Sequence, residues 1–146
     1  MLHIESLGLA EAEKALAGGI AAARAIGKAM AFAVADHAGE MIATARMDGA
    51  NPRILRHSVR KAYTSALMCR HTLSFKRDLK ERDGALDQWG DVKLTTLPGG
   101  LAVQRDGKFV GAVGAGGGGP DDERIARVMM AAMGFDIVED ARGGGR

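Results

Sequence analysis

Seven basic residues and no acidic one lie between Gly49 and Arg77. They are Arg53, Arg56, Arg60, Lys61, Arg70, Lys76 and Arg77, with His57 and His71 among them. Helical spacing sets Arg53, His57, Lys61 and Thr64 about one turn apart along one face. Such a face offers cations to the carboxylates of an anionic ligand, and an imidazole that can carry a proton or ligate a metal. Two glycine clusters follow, Gly99-Gly100 after Pro98 and a run from Gly114 to Gly119 broken only by Ala115. Backbone without a Cβ lets a flat ligand or a second subunit come close, and its N–H groups can hold a carboxylate or an oxyanion.

Gly114, Gly116 and Gly119 also spell G-x-G-x-x-G, the pattern of a dinucleotide-binding loop. The surrounding residues argue against that use. The apolar run before the glycines is the second arm of a hairpin turning at Asp106-Gly107, so its neighbour is antiparallel rather than parallel. Only 27 residues follow Gly119, too few for a mononucleotide-binding half. The next helix opens Pro120-Asp121-Asp122-Glu123, and three carboxylates there would repel a pyrophosphate.

The remaining candidates are weaker. No nucleophile elbow, H-E-x-x-H, C-x-x-C or P-loop is present, and Cys69, alone on an apolar helix face, reads as a packed small hydrophobe. His3 lies near the terminus, His37 in a hairpin loop, and His71 past a helix end, where its charge would complement the dipole. Arg46 and Asp48 are expected to form a strand-end pair steering the turn into Asn51. An enzymatic alternative gives the carboxylate of a substrate to Lys61 or Arg46, proton transfer to His57, and oxyanion stabilisation to the glycine amides. Nucleic acid is disfavoured by a net charge of only +2 and 4% aromatics. No apolar run approaches a membrane span, and the single cysteine fits a reducing compartment, so a cytoplasmic protein is expected.

The elements that must position these residues follow from periodicity. Leu9, Ala12, Leu16, Ile20, Ala23 and Ile26 mark a helix ending at Gly27, whose Gly18-Gly19 imply a close-packed neighbour. Met30 to Asp36 and Met41 to Met47 form a hairpin across a four-residue loop. Asn51-Pro52 starts a second helix, with Leu55, Val59, Ala62, Ala66 and Cys69 inward. Ser74 is expected to cap a short helix through Glu81, and Trp89 to anchor the loop after it. From Val92 a strand meander is expected, with Leu101–Gln104 and Phe109–Ala115 as one hairpin. A last helix runs from about Asp121 to Met133, and residues 139–146 read as a mobile tail after a single domain, 1–138. The order predicts an α+β fold with an antiparallel sheet covered by helices.

Four segments in this order, "VADHAGEMIATARMDGA" (Val34 to Ala50), "RKAYTSA" (Arg60 to Ala66), "LPGGLAV" (Leu97 to Val103) and "DGKFVGAVGAGGGGPDDERIA" (Asp106 to Ala126), resemble the GlcG/HbpS family. The resemblance spans about Leu7 to Met133. It implies a profilin-like sandwich with a five-stranded antiparallel sheet, assembly as dimers up to octamers, and haem or a related tetrapyrrole as ligand. It carries the expected ligand contacts to Arg60, Lys61, Thr64, Pro98, Gly99, Gly100, Gly114, Gly116 and Gly117. In that reading the propionates meet Arg60 or Lys61, and His57 is the iron-ligand candidate.

Overall fold

The computed structural model describes residues 1–139. Four strands form one antiparallel sheet: β1 (Ala31–Asp36), β2 (Met41–Arg46), β3 (Gly100–Arg105) and β4 (Lys108–Gly116), in the order β2-β1-β4-β3. The helices are α1 (Leu9–Ala25), α2 (Pro52–Met68), α3 (Thr72–Glu81) and α4 (Asp122–Ala132), with 3-10 turns at Leu86–Trp89 and Gly119–Asp121. α2 lies on one face of the sheet, and α1 and α4 pack together on the other.

The alternation of large and small residues decides which helix goes where. Phe32, Val34, Leu101, Val103 and Val113 point to the α1/α4 side and fill the main core with Met129, Met130 and Ile125. Ala33, Ala35 and Ala112 point the other way, against Ala62 and Ala66 of α2. Gly114 shares that small-residue face. A Cβ there would stand 2.2 Å from the Ser58 carbonyl oxygen, so the glycine sets how closely α2 approaches. The paired glycines of α1 have the neighbour their sequence implies: a Cβ on Gly18 would reach the Ala132 Cβ at 2.6 Å. Asp106 and Gly107, at φ +52° and +76°, close the two-residue hairpin as expected.

Several expectations are corrected. The sheet has four strands, not five, among the described residues. The stretch from Val92 is no strand. It runs along α2, where Thr64 Oγ1 accepts the Thr95 N–H at 3.0 Å and so takes the hydrogen bond a ladder would have used. α3 begins at Thr72 with His71 in the N-cap position, ahead of Ser74. The inward face of α2 is more polar than its aliphatic spacing implied, because Ser58, Lys61, Thr64 and Ser65 are buried. Cys69 caps that helix in a left-handed conformation instead of lining its apolar face. Trp89 is 45% exposed, although its ring packs edge-to-face with Phe75, the centroids 5.8 Å apart. Where the expected tail begins, both Glu139 oxygens accept from Arg127 at 2.6 and 2.8 Å; the rest of the expected tail lies outside the described residues.

His71 does not serve a helix dipole from the surface. It is buried, and Nδ1 accepts the Ala102 N–H at 3.1 Å, which leaves Nε2 to donate to the Val138 carbonyl. The imidazole thus ties α3, β3 and the C-terminal segment together in its neutral form. Burial holds its pKa below the ordinary value, helped by the Arg127 charge and opposed by the Val138 bond. A depressed histidine pKa means that the unfolded chain takes up the proton first. The stabilisation is therefore complete above about pH 6.5 and lost as the pH falls below it. Urea unfolding should show lower stability at pH 5.5 than at pH 7.5, and His71→Gln should remove most of that difference. An unchanged pH dependence in the variant would contradict this role.

Candidate functional site

α2 carries the functional face because Asn51 caps it, accepting the Arg53 N–H at 3.0 Å, and Pro52 occupies its first turn. From that fixed start, Arg53, His57 and Lys61 point toward one end of the sheet. There they meet both glycine clusters. A cleft of about 490 Å³ is lined by Arg53, Ile54, His57, Lys61, Leu97, Pro98, Gly116, Gly117, Gly119 and Asp122. The volume falls in the range of about 300–1,000 Å³ usual for small-molecule and cofactor sites. The glycine segments separated in sequence are therefore neighbours in space, beside the basic helix.

Within the cleft the charges are unequal in availability. Lys61 is 3% exposed, and its Nζ donates to the Asp122 carboxylate at 2.9 Å and to the Ala115 carbonyl at 2.8 Å. Its charge is spent internally, in the floor of the cleft. Arg53 stands exposed on the rim with no ion-pair partner among the described residues, so of the cleft's two cations it is the one placed to meet a ligand. His57 is half-buried. Burial lowers its pKa, and the charges of Lys61, Arg53 and Arg60 push in the same direction. Near pH 7 the ring is neutral, with a lone pair available to accept a proton or ligate a metal.

The other expected site residues divide. Pro98, Gly116 and Gly117 line the cleft. Gly99, Gly100 and Gly114 lie buried behind it, where they admit other groups: a Cβ would stand 2.6 Å from the Ala115 oxygen, 2.5 Å from the Lys61 oxygen and 2.2 Å from the Ser58 oxygen respectively. Thr64 faces the Thr95 amide instead of the cleft. Arg60 borders a different, smaller hollow of about 260 Å³ with Tyr63 and Lys93. Arg46 belongs to a third depression, with Ile20 and Arg24, and its guanidinium donates to the Ala50 carbonyl at 3.3 Å. That bond supports the turn into Asn51, though to a backbone oxygen instead of Asp48. Leu97, Gly119 and Asp122 were missed at the cleft. Leu97 is an exposed apolar residue directly before the Pro-Gly-Gly turn, which was the available signal.

A larger depression of about 530 Å³ lies at the opposite end, among Glu11, Lys14, Arg105, Asp106 and Asp136. Its mixed charges leave no net attraction for an anion, and neither glycine cluster reaches it. Among the described residues no group of three or more His, Cys, Asp or Glu is placed to hold a metal ion. Nor is any described helix long and apolar enough to cross a membrane.

A four-stranded antiparallel sheet with α2 on one face, α1 and α4 on the other, and a glycine-rimmed cleft at its end defines a known class of small α+β domain. HbpS of Streptomyces reticuli, solved as a double mutant, is 28% identical with a TM-score of 0.81, covering 90% of this chain and 89% of that one. A structure described as a PduOC:heme complex is 23% identical with a TM-score of 0.79, covering 97% and 99%. A 15.0 kDa protein from the dhaT-dhaS intergenic region of Citrobacter freundii is 30% identical over 125 residues, 84% of this chain and 88% of its own length. GlcG of Escherichia coli K12 is 36% identical over 85 residues, 58% of this chain and 62% of GlcG. The family described as "Haem degrading protein HbpS-like" matches residues 7–131. The chain belongs to the HbpS-like family.

Proposed function

We propose that the protein binds a planar anionic ligand, haem foremost, in the cleft between α2 and the two glycine segments. The observation that carries the reading is the convergence of Arg53, a neutral His57 and side-chain-free Gly116 and Gly117 on one opening. The residues fit the group. Gly116, Gly117, Pro98 and Leu97 present a flat, largely apolar wall. Arg53 offers a charge-assisted bond to a propionate, and His57 offers a ring nitrogen toward the iron. Haem held there would supply a redox-active metal; the chain itself binds, orients and shields one edge of the ligand. The family description and the haem complex of a structural neighbour support the ligand class. The enzymatic alternative, with Lys61 or Arg46 as carboxylate holder, gains nothing, since the Lys61 ammonium is already engaged by Asp122 and the Ala115 carbonyl and Arg46 lies in a depression that does not include His57. A cytoplasmic homo-oligomer, from dimer to octamer, is part of the same proposal, and a monomer mass in native mass spectrometry would remove that part.

Titrating the purified protein with hemin tests the reading. A saturable Soret shift at micromolar protein is expected, and its absence would end the haem assignment. Arg53→Gln should weaken hemin binding by roughly tenfold, the value of one charge-assisted contact at a partly exposed site. Equal affinity in that variant would remove Arg53 from the site.

A further inference from the structure

We infer that Lys28, which lies outside the cleft, is a positioning residue for it, gripping the glycine-rich rim from behind; this rests on the ligand-binding reading above. Gly116 to Gly119 are four successive residues without side chains, and such a run loses the most backbone freedom when it is held in one shape. Packing alone does not hold the far end of the run, because a Cβ on Gly119 would meet nothing within 4 Å. Two side chains from different parts of the fold supply the restraint, and both act on Gly118.

From inside, Asp122 Oδ1 accepts the Gly118 N–H at 2.7 Å while its Oδ2 holds Lys61 at 2.9 Å. From outside, Lys28 Nζ donates to the Gly118 carbonyl at 2.7 Å and pairs with Asp121 Oδ2 at 2.9 Å. Arg124 meets the other Asp121 oxygen at 3.2 Å, which steadies that carboxylate. Lys28 reaches the loop because Gly27, at φ +68°, ends α1 and turns the chain toward it. The two grips differ in environment. The Lys61–Asp122 side chains are 4% and 12% exposed, whereas the Lys28–Asp121 side chains are 39% and 31% exposed. The inner grip is a fixed part of the core. The outer one stands in partial contact with solvent ions, which weaken it as ionic strength rises. Lys28 therefore sets the rim against which the ligand rests while touching no ligand itself.

Lys28→Met, which keeps the aliphatic stem and removes the ammonium, and Lys28→Arg, which keeps the charge, separate these roles. Amide exchange is read by NMR on the unliganded proteins, and hemin affinity on the same samples. In Lys28→Met, exchange at Gly118, whose N–H is held by Asp122, should rise by roughly tenfold, as expected for a loop whose local opening is no longer opposed. Exchange at Val113 and Ala115 in β4 should stay unchanged. Hemin affinity should fall with the loop's protection, and Lys28→Arg should recover most of both. Unchanged loop exchange in Lys28→Met overturns the inference, as does faster loop exchange with undiminished hemin affinity. Should Lys28→Met fail to fold, Asp121→Asn weakens the same grip from its exposed side and is judged by the same two readouts. If the wild-type protein binds no hemin, the ligand reading falls on that result alone, while exchange in the unliganded variants still decides whether Lys28 holds the loop.

Discussion

Gly114→Ala should cost the protein about 3 kcal/mol or more, a large part of the roughly 5–15 kcal/mol that typically separates folded from unfolded domains. The added Cβ would fall 2.2 Å from the Ser58 carbonyl oxygen and 2.9 Å from the Ala62 nitrogen. Both atoms are backbone of α2, so no rotamer change relieves the clash, and the helix must lift from β4 along its length. Lifting opens the contact among Ala33, Ala35, Ala62, Ala66 and Ala112, where side chains are too short to follow the moving helix. Urea unfolding of the variant against the wild type measures the loss. A midpoint within experimental scatter of the wild type would mean that α2 is not held at this distance.

Lys61→Met should be comparably damaging, by about 3–5 kcal/mol, because it strands one partner of a buried pair. The Asp122 carboxylate would keep the Gly118 N–H but lose its counter-ion, and the Ala115 carbonyl would lose its donor. Lys61→Met combined with Asp122→Asn should recover much of the loss, since the amide oxygen can still accept from Gly118 without a buried charge. A double variant as unstable as the single one would show that the charge is not the issue. From sequence alone Lys61 reads as a ligand contact or a catalytic carboxylate holder. The geometry makes it first a structural member of the cleft floor.

How much was legible in advance depended on the range of the interaction. The β1–β2 hairpin, the Asp106-Gly107 turn, α1 with its tightly packed glycines and the start of α4 are each written in local spacing or turn chemistry, and the structure has them where the spacing put them. The meeting of the glycine segments with α2 followed from the family resemblance and the basic face together. Polar pairings across the fold left no such trace. Asp122 read as one of three carboxylates opening a helix, and nothing in its neighbourhood announced a partner 61 residues earlier. His71 followed a helix end in sequence and looked solvent-bound, yet the chain folds β3 and the residues near Val138 over it. The expected extra strand failed for a similar reason. The stretch from Val92 has β-type residues, but the Thr64 hydroxyl takes its Thr95 amide.

Where on the surface ferric hemin sits is the most direct test of the account. Its paramagnetic iron broadens the amide signals of nearby residues, so an NMR titration reads the location without any mutation. Loss of signal at Ile54, His57, Gly116, Gly117 and Gly119, with Glu11, Gly107 and Phe135 left sharp, is the predicted pattern. Broadening centred instead on Gly107 and Phe135, around the larger depression at the far end, would contradict it.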